Sequence, residues 1–274
     1  MAPLYDAHLH LQDERLRPHL DEIVAELRRL DIRRWVVNGT CEADWPEVAR
    51  LAETYPEVLP AYGLHPWFIR DRSDHWEETL REYLSAPGNR AVAVGEIGLD
   101  KWIRDHRIDE QEVVFRRQLR LAAATELPPV IHCLKAWGRL LEVLGSEPLP
   151  RRGFLLHSFA GPVEMLDDFL ELGAYFSFSG YFLHERKSAV VETFRRIPRD
   201  RILFETDAPD MLPPQRVITH PLSDGDGGAL NHPANLRAIR EHADSLLSRG
   251  EVSGKVNRES VFLEFFDQGD TQLD

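Results

Sequence analysis

Short apolar runs alternate with longer amphipathic segments from one end of the 274-residue chain to the other. Residues 4–8, 35–38, 59–63, 91–95, 130–133, 154–157, 174–178 and 202–205 form apolar stretches, several bounded by Gly, Pro or Asn, the pattern of strands buried on both faces. Residues 18–30, 45–54, 74–84, 109–125, 137–144, 162–172, 187–196, 233–247 and 254–266 carry helical patterns. The clearest lies between Gln111 and Leu127, where Val114, Gln118, Leu121 and Ala122 share one face and Arg takes exposed positions; it reads as a plain scaffold helix. This alternation predicts a parallel sheet covered by helices. Eight such units fit one α/β domain, a TIM-like (β/α)8 barrel, which needs about 250 residues. The expected barrel spans 1–266, with 267–274 as a C-terminal tail.

No repeat, low-complexity tract or flexible linker divides the chain. The longest irregular stretch, 207–233, is rich in Pro, Gly and Asp and follows the last strand. On a barrel it lies over the mouth as a substrate-shaping loop; an acidic linker is the other reading. A net charge of −13 argues against a protein that coats nucleic acid with a broad basic face, yet leaves room for a polynucleotide held at one cation-bearing cleft. There is no basic leader and no run near the roughly 18 apolar residues of a membrane span. Cys41 and Cys133 are too few for a disulfide framework. A cytoplasmic protein is therefore expected.

Five separated segments place metal-ligand residues at the ends of predicted strands: Asp6-Ala7-His8-Leu9-His10, Gly95 to Asp100, Ile131-His132-Cys133, Leu156-His157-Ser158 and Glu205-Thr206-Asp207. In a closed barrel all such ends surround one mouth. His8 and His10 are two residues apart, so on a strand both imidazoles project from one side and can grip one ion. Glu96 is expected just after the fourth strand, between Gly95 and Gly98, with two oxygens able to bridge two cations. His132 and His157 each end an apolar strand, where an imidazole needs a partner. Asp207 suits both metal binding and acceptance of a proton from an attacking water, with Glu205 behind it. The constellation points to a metal-dependent hydrolase. Trp67, Phe68, Trp102, Trp137, Tyr181 and Phe182 fall near the mouth loops; packing is expected for most, and stacking on a nucleic-acid base for Trp67 or Tyr181.

Through these segments, together with Gly63-Leu64-His65-Pro66, residues 127–132, residues 157–161, residues 205–209 and Asn231-His232-Pro233-Ala234-Asn235, the chain resembles the TatD-type metal-dependent deoxyribonucleases of the amidohydrolase superfamily. The resemblance runs from Asp6 to about Phe262. It implies a TIM-like barrel, a dinuclear centre of zinc, manganese or magnesium, and hydrolysis of DNA phosphodiesters. It further implies that His8, His10, Glu96 and Asp207 hold one ion, and Glu96, His132 and His157 the other. The catalytic roles fall to Asp207 and Glu96, and DNA is a substrate bound locally and weakly.

Departures from the family pattern concern substrate. Where the family commonly has a second His after His-Pro, this chain has Trp67; after the fifth-strand His it has Cys133-Leu134-Lys135 rather than Arg and an acid; and Lys101 replaces an aromatic residue. Loss of that Arg removes a bidentate phosphate clamp, for which Lys is no equivalent. His65, Lys135 and Trp67 are the expected substrate contacts. A small amide, lactone or ester is the alternative substrate class.

Overall fold

The computed structural model describes residues 3–86, 88, 90–248 and 258–266. Eight parallel strands follow one another around the sheet in chain order: β1 (Leu4–Leu9), β2 (Ile32–Asn38), β3 (Val58–Tyr62), β4 (Ala93–Asp100), β5 (Pro129–Leu134), β6 (Phe154–Leu156), β7 (Ala174–Ser179) and β8 (Ile202–Glu205). Helices alternate with them: α1 (Leu20–Arg29), α2 (Trp45–Thr54), α3 (Trp76–Ser85), α4 (Ile108–Thr125), α5 (Trp137–Leu144), α6 (Leu166–Glu171), α7 (Ser188–Phe194), α8 (Leu236–Leu247) and α9 (Arg258–Phe266). This is the TIM-like (β/α)8 barrel that the alternation predicted. The expected tail, 267–274, lies outside the described residues, as does the start of the helix expected over 254–266. No helix among the described residues is long and apolar enough to cross a membrane.

Three elements differ from expectation. β4 does not stop at Gly95 but continues to Asp100, so Glu96 sits within the strand. The sequence break at Gly95 and Gly98 reflects close packing rather than a strand end: a Cβ on Gly98, whose φ is 144°, would lie 2.0 Å from the His132 carbonyl oxygen, and one on Gly95 would lie 2.7 Å from Val130 Cβ. Second, several helices begin with a 3-10 turn, as at Arg17–His19 and Pro233–Asn235, where Pro fixes φ without supporting the first α-helical bonds. Third, the stretch 207–233 is not wholly irregular. It contains an antiparallel pair, β9 (Pro221–Ser223) with β10 (Ala229–Asn231), and is tied to α1 by His220 Nε2 and Glu26 Oε1 at 2.7 Å.

The two barrel ends have different chemistry. Inward-facing Ala7, Val36, Ala61, Ala93, Val130, Leu155 and Leu203 form one apolar cluster with Val261, Phe262, Phe265 and Phe266 of α9. Phe262 stacks on Tyr5 with ring centroids 4.9 Å apart, and Phe265 on Tyr175 at 4.6 Å. Since Tyr5 and Tyr175 lie near the starts of β1 and β7, α9 plugs the N-terminal end of the barrel. Each buried phenylalanine adds about 1.5–3 kcal/mol of hydrophobic stabilisation. The opposite end is polar.

The seam between β8 and β1 carries no regular ladder among the described residues. It is closed at the mouth by two backbone bonds, Asp207 N to His8 O at 2.9 Å and His10 N to Ala208 O at 2.8 Å. Asp6, which is buried, reinforces it. Its carboxylate accepts the Thr206 N–H at 3.0 Å, the Thr206 hydroxyl at 2.6 Å and, more weakly, the His8 N–H at 3.3 Å. Asp6 thus faces the seam and holds the segments of His8 and Asp207 in register. Asp6→Ala should strand two buried donors and lower unfolding free energy by about 2–5 kcal/mol. Urea denaturation of both proteins checks this, and an unchanged midpoint would remove Asp6 from the closure.

Candidate metal centre

Strand periodicity brings the ligands together. His8 lies in β1 and His10 just past its end, two residues on; on β4, Glu96, Gly98 and Asp100 share a face. His132 comes from β5, His157 follows β6, and Asp207 follows β8 in a left-handed turn with φ 54°. A short polar residue tolerates that conformation better than a bulky one. His8, Glu96, His157 and Asp207 are buried, while His132 and His10 are partly open to the mouth.

Glu96 stands between two imidazole groups and gives each one oxygen. Its Oε2 lies 3.4 Å from both His8 Nε2 and His10 Nε2. Its Oε1 lies 2.8 Å from His157 Nε2, 3.2 Å from His132 Nδ1 and 3.3 Å from His65 Nε2. Asp207 Oδ1 completes the first group, 3.5 Å from His8 Nε2 and from His10 Nε2. The stacked rings of His8 and His157, with centroids 4.0 Å apart, join the two groups.

The outer atoms of these rings indicate what the inner atoms offer. His10 Nδ1 faces the Asn38 carbonyl at 2.9 Å, which can only accept, so Nδ1 carries a proton and, in the neutral ring, Nε2 presents a lone pair inward. His132 Nε2 faces Asp100 Oδ2 at 3.1 Å, and Nδ1 is then the inward lone pair. Burial disfavours a charged Asp100, but the bonds from His132 and Trp67 outweigh it and hold the pKa below the usual value, keeping the carboxylate an acceptor. Such outer bonds are how metal-binding histidines are oriented. Inner nitrogens approach one another at 3.2 Å between His8 and His10 and at 3.3 Å between His132 and His157. The donor atoms of His8, His10 and Asp207, of His8, Glu96 and His157, and of His65, Glu96 and His132 lie within 4.8 Å of one another in each set, close enough to hold divalent cations.

Electrostatics hold both carboxylates charged. Burial disfavours a charged Glu96, but the imidazoles of His65, His157 and His8 more than reverse this and hold its pKa well below the usual carboxylate value. Asp207 is likewise opposed by burial and drawn down to about 2, first by its bond to His10. Both therefore stay ionised. Burial also disfavours the charged form of His10, yet Asp207 and Glu96 raise it well above the ordinary imidazole value, so the ion-free ring also carries a proton on Nε2, which a bound cation would replace.

His65 differs. Its Nδ1 accepts the Trp67 N–H at 3.2 Å, so a neutral ring carries its proton on Nε2 and directs a donor, not a lone pair, at Glu96. Burial, acting first, lowers its pKa to about 4 and keeps the ring neutral. Trp67 is 51% exposed and donates its indole N–H to Asp100 Oδ2 at 2.6 Å. Lys135 is exposed, with Nζ 3.8 Å from the centre of the Trp102 ring. Glu205 lies behind His157: its Oε1 takes the Ser158 N–H at 2.8 Å and hydroxyl at 2.5 Å and stands 3.8 Å from His157 Nδ1. Packing was expected for most mouth aromatics. It holds for Phe182, which is buried, whereas Trp102 is 65% exposed.

Sequence reasoning had not singled out Asp100 and Asn38, nor Gln111 as a positioning group. The signal for Asp100 was its four-residue spacing from Glu96 on one strand. Helix α4 proves more than scaffold: Gln118 exchanges two bonds with the Leu64 backbone, at 2.7 and 3.0 Å, and Gln111 does the same with Asp100, at 2.7 and 2.8 Å. Two turns apart on one helix face, these amides anchor the segments that carry His65 and the partner of His132.

Comparison with known proteins agrees with this architecture. The model of the family TatD related DNase matches residues 5–256. The chain is 31% identical over 244 residues to an uncharacterized metal-dependent hydrolase, YabD, of Bacillus subtilis, covering 89% of this chain and 91% of that protein. It is also 31% identical over 241 residues to the 3′-5′ ssDNA/RNA exonuclease TatD of Citrobacter rodentium, covering 86% and 87%. The crystal structure of YjjV, a TatD homologue from Escherichia coli, superposes with a TM-score of 0.80 at 26% identity, over 96% of this chain and 94% of that one. Sequence and fold agree: the chain belongs to the TatD related DNase family of metal-dependent hydrolases.

Proposed function

We propose that this protein uses two divalent cations to hydrolyse phosphodiester bonds in DNA, acting on single strands. The observation that carries this reading is the division of Glu96: one oxygen in the group of His8, His10 and Asp207, the other in the group of His132 and His157. These are the residues that would hold the two ions. The imidazole-rich donor set favours zinc or manganese over magnesium. Bound there, the ions would polarise a phosphoryl oxygen and lower the pKa of a water. The nucleic-acid substrate is supported by relatives named as 3′-5′ ssDNA/RNA exonucleases.

The chain's own residues divide the remaining work. Both oxygens of Glu96 face imidazoles and its side chain is 4% exposed, so it holds the centre together rather than exchanging protons. Asp207 approaches the imidazoles through Oδ1 and its side chain is 12% exposed, which leaves Oδ2 to orient the attacking water and take its proton. His65, with its proton on Nε2, donates to Glu96 Oε1 and steadies that carboxylate beside the substrate. Lys135 supplies positive charge at the rim. The segment 207–233 begins at Asp207 and shapes the approach of substrate from the β8 side.

Two measurements test the reading. Metal analysis after reconstitution should find two equivalents of zinc or manganese in the wild type, about one in His132→Ala, and less than one in Glu96→Ala, with circular dichroism unchanged. One equivalent in the wild type would contradict the bridging role. Metal-stripped protein reloaded separately with magnesium, manganese or zinc should cleave single-stranded DNA and bis-p-nitrophenyl phosphate. Asp207→Ala should lose about 10²–10⁴-fold in kcat on both. Metal-loaded protein that leaves DNA intact but hydrolyses small esters or lactones would transfer the reading to that substrate class.

A further inference from the structure

Among the described residues, the exposed large apolar side chains are Trp67, Trp102, Leu134, Val113 and Leu246. The first three emerge where β3, β4 and β5 end, on the rim beside His65 and His132. Apolar surface left in water beside a polar centre marks a place where something binds.

One carboxylate holds the Trp67 indole and the backbone that carries Trp102. Asp100 Oδ2 accepts the Trp67 indole N–H at 2.6 Å, and Oδ1 accepts the Trp102 backbone N–H at 2.5 Å. The same Oδ2 takes His132 Nε2 at 3.1 Å, and the rings of Trp67 and His132 lie 6.3 Å apart. Lys135 Nζ sits 3.8 Å over the Trp102 ring. The Lys101 N–H donates to the Leu134 carbonyl at 2.9 Å, so Lys101 and Lys135 stand on adjoining segments. In a chain of net charge −13, this rim pairs aromatic faces with local positive charge.

We propose that Trp67 and the Trp102–Lys135 pair form a subsite for an unpaired nucleobase and its phosphate, adjoining the cleavage centre and selecting single strands. The proposal rests on the phosphodiesterase reading above. Every base has a π-face, so stacking on an indole tolerates any sequence, but a base within a duplex cannot reach it. The ammonium of Lys135 offers a point charge to the neighbouring phosphate, in place of the planar clamp an Arg would form. Through Asp100, a base lying on Trp67 is linked by two hydrogen bonds to the ring of His132, so the strand that stacks is the strand presented to the metal ligands.

The test reads binding apart from cleavage. In the Asp207→Ala background, equilibrated with manganese, fluorescence anisotropy compares a labelled ten-residue oligothymidylate with an abasic strand of equal length and charge. One stacked base is worth about 1–3 kcal/mol, so the thymidylate should bind about 5–150-fold more tightly. Adding Trp102→Ala or Trp67→Ala should reduce that ratio at least fivefold, and Trp102→Phe should restore most of it. A parent protein that binds both strands equally, or a ratio unmoved by both alanine variants, overturns the proposal. Wild-type turnover is assayed separately. Cleavage of DNA without base-dependent binding removes the subsite and leaves the nuclease, whereas base-dependent binding without cleavage removes the nuclease and leaves the subsite.

Discussion

Glu96 and Asp207 lie among imidazoles at one end of the barrel, and both are held ionised there. Two negative charges withdrawn from water need compensation, and the surrounding architecture supplies it. Four strand ends, those of β1, β3, β5 and β6, deliver the nitrogens, and glycines at 95 and 98 let β4 pass close enough to β5 for Glu96 to reach both ligand groups. Removal of β1 from the mouth would leave Glu96 Oε2 and Asp207 Oδ1 without their imidazole partners. The mouth is therefore tied to barrel closure, and Asp6 couples the two directly by joining β1 to the turn that carries Asp207.

A further layer of polar groups fixes which atom of each ring faces inward. Asn38 does so through its backbone carbonyl for His10, and Asp100 through its carboxylate for His132. Asp100 is itself clamped by Gln111, whose partner along the helix, Gln118, clamps the backbone next to His65. Buried amides are costly unless satisfied, and these two are satisfied by imitating a neighbouring strand. The result is a rigid chain of bonds from α4 to His65 and His132 at the mouth. It also reaches the surface, since Asp100 holds Trp67 and Trp102 on the exposed rim.

Stability and chemistry are separated along the barrel axis. The floor is an apolar plug in which Phe262, Phe265 and Phe266 fill the N-terminal opening against small and branched strand residues. The mouth carries charge, strained turns such as Asp207 at φ 54°, and exposed indoles. A firmly packed floor lets the mouth keep conformations and burials that do not stabilise the fold by themselves.

The sequence by itself determined the strand–helix alternation, the barrel and which His and carboxylate residues gather at its mouth, because parallel strands buried on both faces appear as unbroken apolar runs and because His and carboxylates at their ends interrupt those runs conspicuously. It misread the end of β4, since Gly95 and Gly98 look like a strand terminus when their role is a close backbone pass that only the neighbouring strand reveals. It made Gln111 and Gln118 anonymous members of a helix face, because a buried amide is recognisable only once its backbone partner is known. It left Asp100 without a role and treated Asp6 as a companion of the ligands rather than the bond that closes the seam. What tertiary structure alone decided was pairing: which nitrogen of each imidazole faces inward, which oxygen of Glu96 serves which group, and which tryptophans remain in water. Those depend on residues up to 200 positions apart, as Asp6 and Thr206 are, and no local pattern encodes contacts at that separation.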